Sequence, residues 1–117
     1  MTSYSLVAVA LAAAVFASAC SSSSIGGEAT GATCPTDSTL TYDNFGKAFF
    51  ESHCAQCHAG RESPTLSTVA AFRANKAAID RVAASGPNAT NTAMPEEGSV
   101  STEDRQKLGQ WLACGSP

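Results

Sequence analysis

A chain of 117 residues allows one small domain plus a targeting segment. Its net charge of -3 and pI near 5.2 exclude the basic surface of a nucleic-acid binder. All seven Lys and Arg lie beyond residue 46, with no run that would form a polybasic membrane patch.

Residues 1–19 read as a signal peptide. Leu6 to Ala19 is apolar or small apart from Ser18, shorter than the roughly 20 residues of a membrane span but of h-region length. The run ends Ala17-Ser18-Ala19-Cys20, which resembles the lipobox of bacterial lipoproteins, where the cysteine is lipidated. It departs in having Ala17 where leucine is usual and no Lys or Arg in Met1–Ser5. Ala17-Ser18-Ala19 also fits ordinary cleavage and release of a soluble protein, and an uncleaved anchor is the third reading. Either way the chain is exported: lipid-anchored at the periplasmic or cell-surface side of a bacterial envelope, or soluble in the periplasm. Residues 20–33 are Ser/Gly-rich and read as a tether. The folded domain is expected over 34–117, small enough to need a staple.

Tyr42 to Ala55 is expected to form the first helix, capped by Thr41 or Asp43, with Phe45, Phe49, Phe50 and Cys54 on its apolar face. Gly46 costs that helix about 1 kcal/mol against alanine, so a close approach by another helix is expected there. Ser67 or Thr68 can cap a second helix from about Val69 to Ala84, with Val69, Phe72, Ile79 and Val82 or Ala83 buried. Asn75 could cap a fresh start and split it in two. Residues 88–100 read as a loop carrying Met94. Ser101 caps a last helix with Leu108, Trp111 and Leu112 on its apolar face, ended by Gly115 and Pro117.

Between the first two helices stands Cys54-Ala55-Gln56-Cys57-His58, the spacing of c-type haem attachment. One helical turn brings both thiols to one side, where each can add across a haem vinyl group, and leaves His58 under the iron. A CxxC pair also occurs in thioredoxin-like redox sites and as half of a zinc site. The first wants alternating strands, which this sequence lacks. The second wants another close ligand pair, and only His53, Cys34 and Cys114 remain. Five cysteines in an exported chain suit an oxidising compartment.

Over residues 42–115 the chain resembles a small bacterial class I c-type cytochrome. Gly46 and Phe50 precede Cys54 by eight and four residues, Pro64 and Leu66 form the Pro-x-Leu after the histidine, Met94-Pro95 lies before the last helix, and Leu108 and Trp111 stand in that helix. Glu96 replaces a proline often found after Met-Pro. The resemblance implies an all-α class I cytochrome c fold, three main helices around one covalently bound haem c. It implies thioethers at Cys54 and Cys57, His58 as proximal iron ligand with its other nitrogen on the carbonyl of Pro64 or a neighbour, and Met94 as distal ligand. Packing alone is the plainer role for Met94, and His53 is a poor rival ligand beside Cys54. Leu66, Phe50, Val82, Leu108 and Trp111 are expected in the pocket or core, Trp111 for burial and not as an electron wire. In this fold the terminal helices cross, so Cys34 and Cys114 are expected to pair as a disulfide. Two unpaired thiols are the alternative.

The function this implies is single-haem electron transfer in the cell envelope and not enzyme catalysis, with redox proteins as donors and acceptors of a monomeric carrier. If Met94 dissociates readily, the haem would instead bind a diatomic gas or react with peroxide. The acidic balance directs partners to be positively charged, or to dock through an apolar rim.

Overall fold

The computed structural model describes residues 26–117. The expected signal segment, its cleavage site and Cys20 lie outside the described residues. Among those residues the fold is all helical. A π-helical turn, Tyr42–Gly46, runs into α1, Lys47–His53; a single turn, α2, covers Ala55–His58; α3 spans Val69–Ala83 and α4 spans Thr102–Ala113. No described helix is long and apolar enough to cross a membrane. Among the described residues the one sheet-like pairing is an isolated bridge between Ser85 and Thr90.

The π-helical turn, α3 and α4 each start on a side-chain cap of the kind that satisfies the first free N–H groups. Thr41 forms a reciprocal capping box with Asn44, Thr68 accepts from the Ala71 N–H, and Ser101 accepts from the Asp104 N–H. Two helix expectations change. The first helix does not run unbroken to Ala55: Cys54 leaves helical geometry at φ -120°, ψ -33°, and a new turn begins. The second is continuous, because Asn75 donates its side-chain amide back to the Ala71 carbonyl instead of capping a new helix.

The core gathers Phe49, Phe50, Leu66, Phe72, Ile79, Leu108, Trp111 and Leu112. Trp111 is its centre, with ring centroids 5.2 Å from Phe72, 6.1 Å from Phe45 and 6.4 Å from Tyr42. It packs against the backbone of Gly46: a Cβ there would lie 2.5 Å from two indole ring carbons. The expected close approach is therefore present, between the first helical segment and α4. The sulfurs of Cys34 and Cys114 lie at disulfide distance, with their Cα atoms 4.7 Å apart.

The domain begins earlier than residue 34, which corrects the expected tether boundary. Residues 26–33 lie along α3. Gly27 donates to the Arg81 carbonyl at 2.6 Å. Thr30 is fully buried and gives its N–H and hydroxyl to the Asp80 carboxylate at 2.8 and 2.5 Å. Small polar residues do not mark a flexible leader when a carboxylate collects their backbone donors.

Gly46→Ala should gain helix propensity of about 1 kcal/mol and lose more through overpacking, about 1–3 kcal/mol. Thermal unfolding should show a lower midpoint than the parent; an unchanged or raised midpoint would mean that the contact with Trp111 is slack.

Candidate haem site

Cys54, Cys57 and His58 sit on α2 and its N-cap, where the break after His53 swings the chain into a separate turn. The segment that follows folds back on this turn. Glu62 donates its N–H to the Cys57 carbonyl at 2.8 Å, and Leu66 donates to the His58 carbonyl at 2.9 Å. Leu66 is buried in the core, so the loop is anchored at its far end by an apolar side chain.

The His58 Nδ1 lies 2.8 Å from the Pro64 carbonyl oxygen. A carbonyl only accepts, so Nδ1 carries the proton and the neutral ring keeps its lone pair on Nε2. That is the arrangement by which a backbone acceptor fixes the tautomer and orientation of a ligating histidine. Of the carbonyls expected as acceptor, Pro64 is the one used.

Cys54 is half-buried against the core and Cys57 is exposed. Burial pushes the Cys54 thiol up to about 11. A thiol-redox CxxC pair works through a thiolate with a lowered pKa, about 3.5–7.5; Cys54 is shifted the other way. Among the described residues no three His, Cys, Asp or Glu side chains converge as a metal centre would require.

Met94 is half-buried and packs on the same core as Cys54. Its N–H donates to the Val82 carbonyl at 2.8 Å, and its own carbonyl accepts from the Arg105 guanidinium at 2.8 Å. His53 packs against Phe49 at a tilt of 58°, with centroids 4.9 Å apart, at the end of α1. Phe50, Leu66, Leu108 and Trp111 are buried and Val82 is half-buried.

Two polar residues of this region escaped the sequence reading. Arg105 is 6% exposed and donates to the carbonyls of Ala83, Asn91 and Met94. Burial draws its guanidinium below the ordinary value, though arginine stays charged in proteins. Asn91 is buried too, and its side-chain amide bridges the carbonyls of Glu28 and Asp80 at 2.8 Å each. Arg105 does carry a sequence signal: it falls three residues before Leu108 and seven before Leu112, on the apolar stripe of α4. Asn91, in a polar loop, carries none.

Two thiols on one turn, an imidazole with a free Nε2, and an apolar wall bearing a methionine fit a covalently attached haem. These features define a helical c-type cytochrome domain. The family model described as cytochrome c oxidase, cbb3-type, subunit III matches residues 44–112, and the chain belongs to that family. It is a c-type haem-binding family, so the cofactor is haem c and the general function is haem-based electron transfer. No curated protein and no solved structure matches the chain.

Alkylation of the denatured, unreduced haem protein should label none of Cys34, Cys54, Cys57 and Cys114. Adding a reductant should expose Cys34 and Cys114 alone, read as two labels by mass spectrometry. Labelling of Cys54 or Cys57 in either sample would contradict thioether attachment, and labelling of Cys34 and Cys114 before reduction would contradict their pairing.

Proposed function

We propose that this protein is a single-haem electron carrier of the bacterial cell envelope, with His58 and Met94 as the two iron ligands. The observation that carries the reading is the His58–Pro64 hydrogen bond, because it leaves Nε2 as the ring's only donor to a metal. The bound haem supplies a one-electron couple at iron. What the chain supplies is its setting. Cys54 and Cys57 hold the haem through thioethers, so the cofactor cannot be lost on reduction or oxidation. His58 is kept in one tautomer by Pro64. Met94 would supply a thioether as the second ligand, which would favour ferrous iron and raise the potential.

With His58 and Met94 both bound to it, the iron would offer substrate no open coordination site, and electron transfer would be the chemistry left. The Cys34–Cys114 disulfide closes a loop with a sequence separation of 80; in the chain-entropy picture this stabilises the fold by about 4.5 kcal/mol. It ties the segment before the first helix to the end of α4.

The leader, and Cys20 as a lipid attachment point, support an exported and membrane-tethered carrier. Its packed domain begins by residue 27. Partners are redox proteins met by a monomer.

Met94→Ala should lower the midpoint potential by a sizeable part of the roughly 0.8 V over which axial ligands tune haem. It should also admit carbon monoxide rapidly to the reduced protein, followed by stopped-flow absorbance. An unaltered potential, or equally rapid binding by the parent, would favour a gas-binding or peroxide-reactive haem instead.

A further inference from the structure

We propose that Arg105 is a positioning residue for the distal ligand: its guanidinium fixes the backbone of Met94 and so holds the thioether at the iron. This rests on the reading of Met94 as that ligand.

Arg105 lies in the first turn of α4 and is 6% exposed. No carboxylate lies within ion-pair distance of it among the described residues. A buried charge without a counterion is costly unless its donors are satisfied. Here the two hydrogens of Nη1 are met by three main-chain carbonyls that share them. Nη1 reaches Ala83 at 2.7 Å, Asn91 at 2.9 Å and Met94 at 2.8 Å. The three acceptors belong to the end of α3, the beginning of the loop and the ligand residue itself. One rigid, planar group therefore sets the distance between α4, α3 and Met94.

The other side of Met94 is fixed as well, by its N–H on the Val82 carbonyl at 2.8 Å. Pro95 follows and has no N–H to offer a competing bond. A methionine side chain has three rotatable bonds and adapts to almost any gap. Its sulfur stays in one place only if the backbone does. The fixed positive charge has a second effect. Oxidation would add positive charge at iron, and a buried cation bonded to the backbone of its ligand residue would oppose it. Arg105 therefore acts on the ligand through hydrogen bonds and on the potential through charge.

The test compares the unaltered haem protein with Arg105→Gln and Arg105→Lys. Three readouts are taken: the far-red Met–Fe(III) charge-transfer band, the affinity of the ferric protein for imidazole, and the midpoint potential. Imidazole binds only when Met94 has left, so its affinity reports how firmly Met94 is held. Arg105→Gln should raise that affinity about tenfold or more, as expected for lost hydrogen bonds to a charged group, weaken the band and lower the potential. Arg105→Lys should keep the potential closer to the parent, because the charge remains, while imidazole affinity still rises.

If the unaltered protein lacks the band, the Met94 reading fails and this inference with it. If the band is present and Arg105→Gln binds imidazole within about twofold of the parent, Arg105 only packs α4, and the inference alone is overturned. Should neither variant fold, the unaltered protein decides. Displacing Met94 with imidazole should shift the Arg105 guanidinium nitrogen resonances and leave those of Arg73, which binds the Ser116 carbonyl. Unmoved Arg105 resonances would overturn the role.

Discussion

The contact between the Gly46 backbone and the Trp111 indole governs the rest of the molecule. It lets the first helical segment and α4 approach more closely than any Cβ would permit. Because the two segments meet there, their free ends are set as well. α1 leads directly to Cys54 and the attachment turn, while the first turn of α4 brings Arg105 against the carbonyl of Met94. One close approach thus positions both walls of the haem site, and the Cys34–Cys114 pair lies at the far end of α4.

The two walls are built in different ways. The proximal wall is local: within nine residues, Cys54 to Glu62, the chain makes a turn and folds back on it, and Pro64 and Leu66 complete the loop with bonds to the His58 ring and carbonyl. Its geometry needs little from elsewhere beyond a buried Leu66. The distal wall is assembled from distant parts of the chain. Val82, Ala83, Asn91, Met94 and Arg105 meet through hydrogen bonds, and Asn91 reaches further to Glu28. A wall of that kind opens by losing a few polar contacts, without loss of the core. Under the proposed ligation, exchange of Met94 would begin there, while the Cys54–His58 turn would keep the haem secured.

This division also explains what was legible in the sequence. Cys54, Cys57 and His58 are read from spacing because their chemistry is local, and Thr41, Thr68 and Ser101 are read as caps for the same reason. Gly46 stood out because glycine has no local reason to be in a helix, and the reason turned out to be Trp111. The break at Cys54 was not visible, because an apolar stripe continues through it. Asn75 looked like a helix start, since its own neighbours cannot reveal that its amide will bond back to Ala71. The strap at 26–33 reads as spacer from the sequence, because its order comes from Asp80 and Asn91, fifty or more residues away. Arg105 was passed over for a related reason: its partners are backbone carbonyls, which every sequence has and none displays.

The central claim is an iron held by one imidazole and one thioether. X-ray absorption at the iron edge of the oxidised protein tests it most directly. The account predicts one sulfur scatterer in the first shell together with nitrogen ligands, and its loss in Met94→Ala. A first shell of nitrogen and oxygen alone in the unaltered protein would contradict it.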